Sequence, residues 1–154
     1  MMATTGPYIE FTVRDTGRRR ARVGETLVPK RNRVVLDIQV LASNWIPVEE
    51  IRVIANGRVL PDLVFDENSL PAVRRAPSVP WSSRRGAVKR FHHRVSLSLE
   101  EDSWLLVEAG APLDPLPEPD AFADAIVPGL VPLAFTNPIF VDLDGDGFDA
   151  PGVE

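Results

Sequence analysis

A period of two in residues 33–42, with an apolar side chain at every second position, restricts the fold more than any other feature. The segment RVVLDIQVLA puts four apolar side chains on one face, with Asp37 and Gln39 on the other; the four are Val34, Leu36, Ile38 and Val40. Successive side chains of a β-strand point to opposite faces, whereas a helix repeats about every 3.6 residues. The pattern therefore predicts a strand with one buried face.

The same period of two recurs along the chain. It predicts strands at YIEFTV (8–13), RFHHRVSLSL (90–99) and SWLLVE (103–108), and two short β stretches on either side of Asn137-Pro138. Residues 50–55 and 58–65 flank Asn56-Gly57, a pair that favours a type I′ hairpin because both positions accept a positive φ. Pro61 predicts that the second arm lies at a sheet edge.

Fifteen prolines and ten glycines in 154 residues argue against helices. Short strands separated by turn signals predict one all-β domain over 1–154, an immunoglobulin-like β-sandwich. Residues 66–86 are predicted to form a long Arg/Pro-rich surface loop. Residues 110–132 are predicted to form a proline-rich covering segment, with one helical turn at AFADAI.

Charge is divided unevenly along the chain. Residues 1–99 hold all 17 basic and 9 acidic residues, whereas residues 100–154 hold 13 acidic residues and no basic ones. We expect the two parts to attract each other, or the basic clusters to bind an anionic partner. The net charge of −5 argues against nucleic-acid binding. No apolar run is long enough for a membrane span, which predicts no membrane insertion, and the absence of cysteine leaves the compartment open.

The aspartate-rich segment DLDGDGFD (142–149) is the part of the sequence that points most directly to chemistry. Its spacing matches the start of a calcium loop, in which carboxylates and one backbone carbonyl surround the ion and a glycine allows the sharp bend. The candidate ligands are Asp142, Asp144, Asp146, the carbonyl of Phe148, and Asp149. The twelfth position is Val153 rather than glutamate, so Glu154, a distant side chain or water would complete the set. The alternative is an Asp-Gly turn whose side chains cap their own backbone.

A second set of residues could contact a ligand or partner: Trp81, Arg84 and Arg85 in the long loop, and His92 on the strand 90–99. His92 and His93 are adjacent, so a strand directs them to opposite faces and they cannot share one metal ion. His93 is expected in the core. Neither histidine has a nucleophile elbow or an acid–histidine pairing nearby in sequence, which argues against histidine catalysis.

Several segments together resemble a known family: MMATTGPYIEFTV, ASNWIPVEEIRVIANGRVL, FHHRVSLSLEEDSWLLVEAG and PLAFTNPIFVDLDGDG. They are similar to the C-terminal region of PHP-type (polymerase and histidinol phosphatase) metal-dependent hydrolases of the carbaryl-hydrolase-like branch. The resemblance implies a metal-binding, TIM-like catalytic barrel followed by a β-sandwich. The barrel's histidine motifs do not occur in this sequence, so no catalytic residue is carried over. The family's acidic terminal loop maps onto Asp142, Asp144 and Asp146, without implying a metal.

These observations lead to an expected function and an alternative. The chain is expected to be a non-catalytic accessory domain that packs against an N-terminal PHP hydrolase barrel in a longer protein. Members of that family are often exported, so export as part of the parent protein is one expectation for localisation. The alternative is a calcium-stabilised module that binds carbohydrate or a cell surface. A stand-alone hydrolase is a third, weaker interpretation.

Overall fold

A computed structural model describes residues 2–43, 46–66, 88–110 and 132–151. The regular elements in these ranges are all β-strands, which confirms the all-β prediction. The strands are β1 (Met2–Thr4), β2 (Tyr8–Asp15), β3 (Arg20–Arg22), β4 (Thr26–Leu27), β5 (Arg33–Ala42), β6 (Glu50–Ala55), β7 (Arg58–Phe65), β8 (Val88–Ser98), β9 (Ser103–Gly110), β10 (Leu133–Thr136) and β11 (Ile139–Val141).

The strands form two sheets. The smaller sheet is antiparallel, with the order β3-β2-β5-β8. In the larger sheet, β9 pairs with β6 along one edge and with both β10 and β11 along the other. β7, β1 and β4 extend this sheet beyond β6, β10 and β11 respectively, and the β4–β11 pair is parallel. The break at Asn137-Pro138 lets two short strands share one edge of β9.

The core lies between the inner faces of the two sheets. The four apolar side chains predicted to form the buried face of β5 are fully buried, as are Leu105 and Val107 on β9. Ile9, Phe11 and Val13 of β2 are also buried. Full burial stabilises the fold by about 1.5–3 kcal/mol for each such side chain. A β-sandwich with one hydrophobic core follows, while its immunoglobulin-like character stays a prediction.

The turn between β6 and β7 has the predicted hairpin geometry. Asn56 and Gly57 both have positive φ angles, 50° and 77°. The Asn56 side chain also accepts the backbone N–H of Trp104 at 2.9 Å, which ties the turn to β9. β7 pairs only with β6 among the strands described, so Pro61 lies on an edge strand as predicted.

Strand β8 departs from simple alternation. A period of two in this segment predicts that every second side chain from Phe91 to Leu99 faces the core. Phe91 and Leu99 are buried, but His93, Val95 and Leu97 are only half-buried, and β8 lies at an edge of its sheet among the described strands. The register with β5 shifts between Val40 and Leu41, which marks a β-bulge. Periodicity alone cannot locate such an inserted residue.

Some predictions concern residues outside the described ranges. These are the long loop at 66–86, apart from residue 66, most of the proline-rich segment 110–132, and the AFADAI helical turn. The short strands β1, β3 and β4 were not predicted, since two or three residues carry too little periodicity. The described residues include no helix that could cross a membrane.

Candidate metal centre

The aspartate loop begins where β11 ends and is folded around its first carboxylate. Asp142 is buried, and its Oδ1 and Oδ2 accept the backbone N–H groups of Gly145 at 2.7 Å and Gly147 at 3.2 Å. Both glycines have positive φ angles, 81° and 121°, which side-chain-bearing residues rarely adopt. The alternation of aspartate and glycine thus lets the chain turn back over Asp142.

A carboxylate from another part of the chain accepts hydrogen bonds from the backbone of this loop. Asp102 lies between β8 and β9, and its Oδ1 accepts the backbone N–H of Leu143 at 2.8 Å. Its Oδ2 accepts the backbone N–H of Asp149 at 2.9 Å. Asp102 therefore fixes both the start and the end of the loop. The sequence offers a distant side chain as one of several ways to complete the ligand set, but it does not identify which one.

Three carboxylates converge at this point. One oxygen from each of Asp102, Asp142 and Asp144 lies within 4.8 Å of the other two. Each carboxylate oxygen carries two lone pairs, so an oxygen that accepts a backbone N–H can still donate to a cation. Calcium takes six to eight oxygen ligands at about 2.3–2.6 Å. The arrangement could supply part of such a ligand shell.

The exposed end of the loop carries two carboxyl groups that interact directly. The backbone N–H and the side chain of Asp146 hydrogen-bond to Asp144 and lower its pKa. The side-chain hydrogen bond to Asp144, followed by the negative charges of Asp144, Asp142 and Asp102, raises the pKa of Asp146. The loop thus concentrates negative charge, and a bound cation would relieve the repulsion.

The structure separates the predicted ligands into two groups. Asp142 and Asp144 belong to the converging set, whereas Asp146 contacts Asp144 beside it. Asp149 is exposed and is tied to the loop through its backbone. The ring of Phe148 packs edge-on against Phe140, with centroids 4.8 Å apart. The proposed role of the Phe148 carbonyl stays a prediction.

Arginine does not neutralise the aspartate loop within the described part of the chain. The ion pairs found there are Arg52–Glu108, His92–Asp37 and Arg94–Asp37. Within the described residues, only the first of these joins the basic and acidic parts of the sequence.

His92 is placed on the outer face of the smaller sheet. Its Nε2 lies 3.0 Å from Oδ1 of Asp37, whose Oδ2 accepts the Arg94 Nε–H at 2.6 Å. Partial burial raises the pKa of Asp37, but the hydrogen bonds and positive charges of Arg94 and His92 outweigh it and leave the pKa below its usual value. Trp81, Arg84 and Arg85 lie outside the described residues, so the structure does not relate them to His92.

His93 faces the other side of β8. Its ring makes an edge contact with Phe65 at 5.2 Å and lies 6.1 Å from the ring of Phe91. The two histidines therefore point to opposite faces, as predicted. Neither is part of the cluster formed by Asp102, Asp142 and Asp144. His93 packs as a half-buried member of an aromatic group.

Comparison of the chain with protein-family models, curated proteins and solved structures found no match. The resemblance to the PHP-associated region accordingly stays a prediction, as does the hydrolase barrel that it implies.

Proposed function

We propose that this chain is a calcium-stabilised β-sandwich module with a non-catalytic, accessory role. The convergence of Asp102, Asp142 and Asp144 carries the proposal. Two of these residues come from the D-x-D-x-D-G segment, and the third comes from a separate turn. An ion shared by them would fasten the C-terminal loop to the β8–β9 turn.

The ligand type favours calcium over other common metals. The candidate side-chain ligands are carboxylates, whereas zinc sites generally include histidine or cysteine. Magnesium demands near-ideal octahedral geometry and usually retains several waters. A glycine-containing loop with carboxylates and backbone carbonyls suits the larger, more flexible coordination of calcium.

The accessory role rests on where the charged groups lie. The carboxylate cluster ties together two turns at one end of the sandwich, which is a structural task. His92 is engaged with Asp37, and His93 is packed among aromatic rings. A PHP hydrolase barrel in a longer protein is the partner that we propose, on the sequence resemblance alone.

Isothermal titration of the metal-stripped chain with calcium tests this function. We expect one site per chain and weaker heat with magnesium. Asp144→Asn removes an exposed carboxylate from the site without disturbing the core and should abolish the saturable heat. Asp62→Asn changes an exposed aspartate on the edge strand β7 and should leave it unchanged. The absence of calcium heat in the unaltered chain would refute the proposal.

A further inference from the structure

The outer face of the smaller sheet gathers arginines that lie far apart in the sequence. On a strand, the neighbours of a core-facing residue point to the opposite side of the sheet. Five exposed arginines occupy such positions on β2, β3, β5 and β8, and we call them the arginine face: Arg14, Arg20, Arg22, Arg33 and Arg94. Because all five are exposed, the arginine face is accessible to a partner.

Strand pairing places four of these arginines side by side. Arg14 on β2 pairs directly with Arg20 on β3, and Arg22 lies two positions further along β3, diagonal to Arg14. Arg33 is also diagonal to Arg14, because Arg14 pairs with Val35 on β5. Side chains directly opposite each other have Cβ atoms about 4.5–5.5 Å apart, and diagonal ones are about 7–8 Å apart. Arg14 is therefore the centre of a compact group of positive charges.

The carboxylates beside this group are already bonded to other groups. Asp37 points to the same side of the sheet, but its two oxygens contact His92 at 3.0 Å and Arg94 at 2.6 Å. Glu25 follows β3, and its Oε2 accepts the backbone N–H of Arg22 at 2.8 Å. Two carboxylates thus stand against five arginines, so the arginine face carries a net positive charge.

The pair formed by Arg14 and Arg20 is unfavourable for the chain alone. Like charges directly opposite each other destabilise an antiparallel strand pair. The planar fork of arginine binds the oxygens of carboxylates and phosphates side-on, and a sulfate group offers oxygens in a similar arrangement. An anionic group held between the two side chains would turn their repulsion into attraction. The arginine face therefore fits a partner with closely spaced negative charges.

Hydroxyl groups are interspersed among the arginines. Thr12 on β2 pairs directly with Arg22, and Ser98 on β8 pairs directly with Arg33. Ser98 is exposed, and Thr12 is half-buried. A hydroxyl group both donates and accepts hydrogen bonds, as the hydroxyl groups of sugars do. This mixture of arginine, serine and threonine suits a ligand that carries anionic groups on a sugar chain.

The same part of the sheet suits other polyanions less well. In the paired rows from Asp37 to Arg33, the described strands present no outward-facing aromatic residue on which a nucleobase could stack. The net charge of −5 disfavours nucleic acid further. Val35 is the one outward-facing apolar residue in these rows, whereas protein interfaces are centred on apolar and aromatic anchors. These observations favour a sugar polymer over a nucleic acid or an acidic protein.

We propose that the arginine face binds a sulfated polysaccharide. The sulfate groups contact the arginines around Arg14, and the sugar hydroxyl groups contact Ser98 and Thr12. The inference does not depend on the aspartate loop, so its test is carried out in EDTA.

Calorimetric titration of the whole chain with a heparin-derived octasaccharide tests this proposal. The same octasaccharide after removal of its sulfate groups is the control for the sugar chain. We expect saturable binding of the sulfated form at physiological ionic strength, weaker binding at high salt because the charges are screened, and no binding of the desulfated form. Absence of saturable binding by the sulfated form overturns the proposal.

Arg14→Gln locates the binding surface, and Arg58→Gln is the matched control. Both substitutions remove one exposed arginine, but Arg58 lies on β7 of the larger sheet. Arg14→Gln should weaken octasaccharide binding by about tenfold, equivalent to one charge-assisted hydrogen bond, and Arg58→Gln should leave it unchanged. Equal affinities for the two variants would place the binding elsewhere and overturn the proposal.

A measurement without ligand confirms that the variant is folded. Since Arg14→Gln removes the repulsion with Arg20, it should raise the melting temperature at low ionic strength, and the increase should disappear at high salt. If Arg14→Gln does not fold, Arg20→Gln makes the same comparison.

Two further probes represent the competing partners: an octaglutamate peptide and a single-stranded DNA octanucleotide. Both should bind the unaltered chain more weakly than the sulfated octasaccharide. Tighter binding of the peptide would assign the arginine face to an acidic protein, and tighter binding of the DNA would assign it to nucleic acid. Either result overturns the proposal.

Discussion

The carboxylate of Asp102 accepts the backbone N–H of Leu143 at 2.8 Å, although the two residues lie 41 positions apart. Its other oxygen accepts the backbone N–H of Asp149 at 2.9 Å. The turn between β8 and β9 therefore holds the aspartate loop in place through hydrogen bonds that do not require a bound ion. This relationship makes the loop sensitive to a residue outside its own sequence.

Asp102→Asn should destabilise the chain even in the presence of EDTA. Asparagine keeps one acceptor oxygen, so either the Leu143 or the Asp149 N–H loses its partner. We expect a loss of about 1–3 kcal/mol in the free energy of unfolding, measured by urea denaturation. Glu100→Gln changes an exposed residue of the same turn and is the matched control. Equal midpoints for the two variants would show that Asp102 does not hold the loop.

Asp146→Asn should stabilise the calcium-free chain but reduce the stabilisation that calcium adds. The side-chain hydrogen bond with Asp144, and then the negative charges of Asp144, Asp142 and Asp102, disfavour the charged form of Asp146 and raise its pKa. Removing this charge should raise the melting temperature in EDTA at neutral pH. The same change should reduce the additional stabilisation by calcium, because it weakens the negative field at the site.

Thermal melts of the unaltered chain, Asp146→Asn and Asp62→Asn, each in EDTA and in calcium, check these two effects. Asp62→Asn changes the net charge by the same amount but lies on β7, so it should leave the melting temperature unchanged in both conditions. A lower melting temperature for Asp146→Asn in EDTA would contradict the repulsion argument.

Gly147→Ala should disturb both folding and calcium binding. Its φ of 121° is strained for alanine, although a Cβ would meet no atom within 4 Å. Gly24→Ala is a suitable control because Gly24 also has a positive φ, 85°, and open space around it. We expect each substitution to cost about 1–3 kcal/mol of stability. Only Gly147→Ala should also weaken calcium binding in calorimetry, and equal calcium affinities would contradict a metal site in this loop.

Asp37 should make stability depend on pH. Its pKa is lower in the folded chain, so its stabilising contribution is present above the unfolded-state pKa of about 3.9 and is lost as pH falls through the folded value. Asp37→Asn should therefore be less stable than the unaltered chain at neutral pH, by less than about 1 kcal/mol for this surface cluster. Urea denaturation should show the difference vanish at low pH. A difference of constant size across that range would contradict the role of Arg94 and His92.

The sequence predicted the larger strands well, because each has enough residues to show a period of two. β5, β6 and β7 have the bounds that the patterns indicated. The hairpin at Asn56-Gly57 was predictable because positive φ angles at both positions restrict the residue types. β3 and β4 were not, since such short strands exist only through their pairing with β2 and β11.

The candidate site was predictable only where its ligands are close in sequence. Asp142 and Asp144 follow from the spacing of the loop, but Asp102 is brought to them by the pairing of β9 with β11. The arginine face was missed for a related reason: its members lie on four strands, and only the pairing of those strands brings them side by side. Both depend on pairing between distant segments, which a local pattern does not encode.

The central claim is that the carboxylates of Asp102, Asp142 and Asp144 share one calcium ion. A crystal structure of the chain grown with calcium tests it most directly, with anomalous scattering used to locate the ion. The account predicts one anomalous peak within about 2.3–2.6 Å of an oxygen from each of the three side chains. A structure at saturating calcium with no peak there, in which Asp102 and Asp142 retain only their backbone hydrogen bonds, would contradict it.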